Sequence, residues 1–310
     1  MFGKYISNLL LVVVFTMIIT GDLMAQSNRW KRSRYELTGG FGITNFFGEL
    51  GGADKPGSKY FTDYDFNSSR PALSVGFRYK VLEMVNAHAH LSYGVVHGSD
   101  ANTENIYRRD RNLHFRSTII EFNTVAEISI INEKLTHKYN LKRRSGFSLK
   151  NLNTNLYVFM GYGFFYFNPK AKYNGKWVAL QPLGTEGQGL METRQKYKRV
   201  SACIPFGFGF RYFINRYWGI GIEYGGRYTY TDYIDDVSTT YVNNQWLRNE
   251  RGNEAADLAD PSFIDGENLI GQPYGGGDQR GNPKYDDFYM FTQITVSYKL
   301  RTGRTGLPKF

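Results

Sequence analysis

The chain has 310 residues, with 38 Lys and Arg against 28 Asp and Glu, a net charge of +10, and 24 Tyr and 23 Phe beside a single Cys. A hydrophobic fraction of 41% excludes wholesale disorder, and Cys203 alone excludes an internal disulfide framework or a Cys-based zinc site. Past residue 25 no apolar run approaches the ~20 residues of a spanning helix, which excludes a polytopic helical membrane protein.

Residues 1–25 read as a cleaved secretory signal peptide: Lys4 gives a positive start, an 11-residue apolar run covers 9–19, and Leu23-Met24-Ala25 precedes Gln26. Such a run is about half a bilayer-spanning length, so it does not read as an anchor helix. No Cys follows the cut, so no lipid anchor is expected there. Export removes the chain from nucleic acid, the partner its net charge would otherwise suggest. A basic segment, 26–34, opens the mature chain with Arg29, Lys31, Arg32 and Arg34.

From Tyr35 onward the signal is alternation with period two. Eight segments predict strands, at 35–43, 71–79, 87–95, 120–130, 156–166, 202–212, 218–230 and 288–300. One face of each is uncharged, as in Leu73, Val75, Phe77 or Ile220, Ile222, Tyr224, and aromatics gather at the ends. A bilayer enforces that pattern, because a Lys or Arg on the lipid face costs roughly 2–4 kcal/mol at the midplane. A soluble β-sandwich also alternates, but does not explain an apolar face on every segment.

The opposite face carries Glu36, Glu121, Glu127 and Glu223 against Arg78, Lys80, Arg211 and Arg227, with glycines such as Gly76 and Gly209 between them. Eight strands enclose an interior just wide enough for side chains to fill, and charges there must pair. The expected fold is therefore all-β: an eight-stranded antiparallel transmembrane barrel over 35–300 with a closed lumen.

An even strand number puts both termini on one side, the periplasm in bacterial barrels. The connections 48–69, 98–112, 168–199 and 231–287 then face outward, while 81–85 and 213–217 are short periplasmic turns. The third inward connection, 132–152, is long and basic: Lys134, Lys138, Lys142, Arg143, Arg144 and Lys150 oppose Glu133 alone. The tail 301–310 is basic too, whereas 231–287 holds 12 acidic and 4 basic residues. Arg34 and Lys299, at strand ends, are expected to snorkel to lipid phosphates. The long basic turn is expected instead to dock an anionic periplasmic partner, where charge speeds encounter and sets orientation.

No catalytic group stands out. His88, His90 and Ser92 share one strand face near Glu121 and Glu127, the raw material of a hydrolase or a metal site, yet they point into the lumen and lack an evident third metal ligand. Histidines satisfied within a plug network are the expectation. Asp232, Asp235, Asp236, Asp257, Asp260 and Asp265 lack calcium-loop spacing and read as a solvated acidic loop. No cofactor, metal or small-molecule substrate is expected.

Several stretches are more specific: Gly48-Glu49-Leu50-Gly51-Gly52, Leu180-Gln181-Pro182-Leu183-Gly184-Thr185-Glu186-Gly187-Gln188-Gly189, Ile204-Pro205-Phe206-Gly207-Phe208-Gly209-Phe210-Arg211-Tyr212, and Arg227 to Ser238 within 219–238. Together they resemble the PorG-like outer-membrane barrels of the type IX secretion system, over about residues 34–300. That resemblance implies a non-enzymatic part of a protein-export machine, linked in some bacteria to gliding motility, associating with a periplasmic ring of the lipoprotein PorK and its partner PorN. A small diffusion channel or surface adhesin is the alternative, and an outer-membrane hydrolase a more distant one.

Overall fold

A computed structural model describes residues 30, 33–50, 68–102, 105–133, 153–263 and 275–302. Ten strands follow one another: β1 (Tyr35–Phe47), β2 (Arg70–Lys80), β3 (Val85–Ser99), β4 (His114–Ile131), β5 (Thr154–Tyr166), β6 (Pro169–Tyr173), β7 (Lys176–Ala179), β8 (Val200–Phe213), β9 (Trp218–Thr229) and β10 (Phe288–Lys299). Eight close into an antiparallel barrel in the order β3-β2-β1-β10-β9-β8-β5-β4, with β3 pairing back onto β4. Each predicted strand falls on one of these eight, lengthened where the wall extends past the apolar band. Closure leaves no free edge among the eight, so every strand satisfies its backbone polar groups sideways.

Strand register sorts the side chains. Opposed pairs such as Phe41 with Ile294 and Leu91 with Phe122 project outward together. Leu73, Val75, Met160 and Ile222 are more than half exposed on this outer surface, and so is Phe41. So broad an apolar band is not tolerated by a soluble monomer, and suits a hydrocarbon surround. Aromatic pairs mark its limits: Trp218 with Tyr298 and Tyr35 with Tyr79 near the termini, Phe47 with Phe288 at the far end. Phe288 and Met290 belong to the outer stripe yet are buried, since Phe288 lies over Gly226 and against Phe206.

The two described turns at the terminus end are tight. Val81 N donates to Val85 O at 3.0 Å, and Ile214 N to Trp218 O at 3.0 Å. The far end is built up instead. Helix α1 (Ile106–Arg111) joins β3 to β4, the β6–β7 hairpin extends the sheet from β4, and α2 (Leu180–Leu183), α3 (Asn244–Arg251) and α4 (Asn253–Ala259) complete a cap. The hairpin turns on Asn174 and Gly175, both at positive φ, as a two-residue turn matched to strand twist requires. The Asn243 side chain caps α3 by accepting from Trp246 N at 2.9 Å.

Beneath the cap an apolar core of Leu50, Val96, Phe115, Phe165, Ile234 and Tyr289 seals the barrel mouth. Tyr197 stacks on Tyr233 at 4.6 Å beside it. The connections expected as plain loops are therefore largely folded where they are described. The proposed signal peptide at 1–25, the tail from 303 and residues 134–152 of the basic turn lie outside the described residues.

Candidate functional site

Alternation carries all the predicted lumen residues inward, and curvature brings them together across strands that are distant in sequence. In the lower lumen Arg78 Nη1 donates to Glu36 at 2.6 Å and its Nε to both oxygens of Glu127, at 2.9 and 2.8 Å. Arg211 bridges the same acids, at 3.0 Å to Glu36 and 3.2 Å to Glu127. The Arg211 guanidinium lies 4.5 Å from the ring centre of Tyr157, whose hydroxyl donates to Glu223 at 2.8 Å. Tyr157, an aromatic among these charges, fills the space above Gly209 with its ring.

An upper tier pairs Arg227 with Glu121 at 3.2 Å, and Tyr289 donates to Glu121 at 2.6 Å. At the terminus mouth Glu133 accepts from Lys80 at 3.3 Å and is also held by Lys299. Lys80 thus serves the mouth rather than the central network. Lys299 is 4% exposed and turns into the lumen, correcting the expectation that it snorkels: Glu133 offers it a carboxylate that lipid need not supply. Arg34 packs over Trp30 at 4.9 Å and donates to the Tyr79 hydroxyl at 3.0 Å.

His88 is satisfied within the plug, with Nδ1 2.6 Å from Glu127 and Nε2 2.9 Å from Thr38. The missing third metal ligand beside His88 and His90 exists after folding, because Glu127 joins them from β4. Yet Arg78 sits 3.1 Å from His88 Nδ1 and fills the position a cation would take. A cavity of about 10 Å³ beside these groups has room for at most a single water. Among the described residues the lumen is packed, not porous.

The cap is the part the sequence reading missed. Asp232, Asp235, Asp236 and Asp260, expected in a solvated loop, are buried. Asp235 accepts from Leu50 N and Val237 N, at 3.2 and 3.0 Å; Asp236 accepts from Thr185 and Tyr197, at 2.5 and 2.6 Å. Glu186 pairs with Arg280 at 3.0 Å and Asp100 with Arg111 at 2.7 Å. Burial raises the Glu49 carboxyl to about 7. Burial, reinforced by the charge of Glu49, raises Asp232 to about 9. The Glu-Gly and Asp-Asp runs that resemble a known family are thus interior parts of one cap, a placement that periodicity cannot reveal.

A family model described as outer membrane protein beta-barrel domain matches residues 11–247. No curated protein matches the chain. Similar solved structures include Ail of Yersinia pestis in complex with the heparin analogue sucrose octasulfate, at 7% identity, covering 86% of this chain and 98% of that one, with TM-score 0.35. Neisserial surface protein A is similar at 7% identity, covering 86% and 96%, with TM-score 0.36. OprG of Pseudomonas aeruginosa is similar at 10% identity, covering 87% and 97%, with TM-score 0.37.

Proposed function

The chain belongs to this outer-membrane β-barrel family, and we propose that it serves in the outer membrane as a non-enzymatic anchor of the type IX protein secretion system, its basic end facing the periplasm and holding a ring of the PorK and PorN type. The observation that carries this reading is the fate of Glu133. It is the one acid among residues 132–152, and Lys80 and Lys299 draw it into the barrel mouth. Lys134, Lys138, Lys142, Arg143, Arg144 and Lys150 are thereby left with no acid of their own segment to balance them. Their surplus charge suits an anionic protein partner.

The packed lumen supports an anchoring role over a conducting one. It is filled by Arg78, Arg211, Tyr157 and their carboxylates, which leaves no open path among the described residues. β1 begins and β10 ends at the same end of the barrel as the close of β4, and the sequence flanking those strand ends adds further cations at Arg29, Lys31, Arg32, Arg301, Arg304 and Lys309.

Replacing Lys138, Lys142, Arg143 and Arg144 with Ser is expected to leave barrel assembly intact and to loosen the ring. The measurement is co-purification of ring subunits at ~0.15 M salt, where exposed charges are still felt over ~8 Å. Undiminished recovery of the ring with the quadruple variant refutes the docking role.

A further inference from the structure

We propose that Glu49, Asp232 and Asp287 form a calcium site that ties the connection after β1 to both ends of the β9–β10 connection over the barrel mouth. One carboxylate oxygen from each residue lies within 4.8 Å of the others. Calcium takes its oxygen ligands at ~2.3–2.6 Å, so one ion can bridge oxygens up to about 5 Å apart. The three groups therefore already stand at the spacing a shared ion needs.

A cluster of acids alone would carry little weight, but these oxygens also lack donors. Asp232 is 7% exposed and Asp287 1% exposed. Both oxygens of Asp232 and Oδ1 of Asp287 are buried with no hydrogen-bond partner. The Ser238 hydroxyl lies near Asp232 without reaching bonding geometry. Other acids of the same cap are supplied with donors: Asp235 by two backbone amides, Asp236 by Thr185 and Tyr197, Glu186 by Arg280. A buried carboxylate oxygen without a donor is costly, and the cost falls on the oxygens that converge here.

The neighbouring charges do not neutralise the cluster. Arg111 faces Glu49 but is committed to Asp100 at 2.7 Å, to Arg280 O at 2.8 Å and to Glu49 O at 3.1 Å, and Arg108 likewise reaches Asp100 at 3.3 Å and the Glu49 carbonyl at 3.2 Å. Asp235 adds further negative charge close to Glu49. Asp287 is fixed through its other oxygen, which accepts from Ile234 N at 2.8 Å, and Glu49 accepts from Asn282 N at 3.2 Å. Glu49 is only half-buried, so it is the ligand at which solvent meets the cluster. An all-oxygen donor set selects a hard cation. Ligands carried on connections rather than on one rigid element favour the adaptable geometry of calcium over the strict octahedron of magnesium.

The test uses the full mature chain refolded in detergent, stripped with chelator and titrated with calcium chloride in a calorimeter at pH 7.5. Expected is one saturable site with a Kd on the order of 10⁻⁴ M, the range of extracellular modules, and slower proteolysis of 231–287 when calcium is present. Asp232→Asn should weaken binding at least ~10-fold. Glu49→Gln, at the half-buried ligand, should do the same and serves if Asp232→Asn fails to fold, as judged by heat-dependent gel migration. Asp257→Asn, an acid outside the cluster that is paired with Arg248 at 2.7 Å, should bind like the parent. No saturable heat with the parent chain, or unchanged affinity in the folded Asp232 or Glu49 variant, overturns the site.

Discussion

Glu127→Gln probes the plug most directly, because it keeps the side chain's size while removing one of the two carboxylates set between Arg78 and Arg211. Glu127 is fully buried and receives Arg78 at 2.8 and 2.9 Å, Arg211 at 3.2 Å and Asn86 at 3.3 Å. After substitution Glu36 alone, at 2.6 and 3.0 Å, must balance both guanidinium groups. A unit-charge pair at ~3 Å is worth roughly 5 kcal/mol at an effective dielectric of ~20, and part of that is returned because Gln needs less desolvation. Losing one partner of a buried pair costs ~3–5 kcal/mol net, which is the expected loss here. Glu223→Gln is the matched comparison. Its amide oxygen still accepts from the Tyr157 hydroxyl, so a loss of about 1 kcal/mol is expected. Urea unfolding of the barrel refolded into lipid vesicles, followed by tryptophan fluorescence and by heat-dependent gel migration, measures both. A loss below about 1 kcal/mol for Glu127→Gln, or one no larger than for Glu223→Gln, refutes the view that ion pairing holds the lumen closed.

Two further outcomes follow from the same packing. Gly209→Ala would place a methyl group against the Tyr157 ring, which Glu223 and Arg211 hold in position, and should cost ~1–3 kcal/mol in the same unfolding assay; Gly39→Ala, whose nearest neighbour would be Ser74 O at 4.0 Å, should be close to neutral. Burial lifts the Asp236 carboxyl to about 6 against the lowering influence of Arg280, so its folded value exceeds its unfolded one near 4 and the cap is more stable below that lower value. That stability is lost as pH rises through 6, by at most about 3 kcal/mol. Protection from hydrogen exchange at 234–238 in calcium-free buffer, each rate taken relative to the intrinsic rate at its pH, should accordingly fall between pH 4.5 and 7, and Asp236→Asn should flatten the fall.

The amino-acid order by itself determined the barrel. Period-two alternation is a local property, and a hydrocarbon surround penalises any charge on the outward stripe, so Leu37, Leu73, Ile120, Ile222 and Val296 announce both the strands and their outer face. The same alternation assigns Glu36, Arg78, Glu127 and Arg211 to the lumen, and their balance of sign foretells a plug. The Asn174-Gly175 dipeptide was a readable sign of the β6–β7 hairpin, submerged in a stretch whose overall composition suggests a loop.

Only the tertiary structure decided who pairs with whom. Glu133 reaches Lys299 across 166 positions, and Arg280 reaches Glu186 across 94. Contacts at such separations depend on barrel closure and strand register, which no short window contains. The cap shows the same limit more sharply. Asp232, Asp235 and Asp236 have the composition of a solvated loop and the burial of a core, because Leu50, Ile234 and Val237 pull their segment into the barrel mouth. Where apolar anchors lie within a few residues of acids, burial is settled by what the anchors can reach, and that is a property of the folded chain alone.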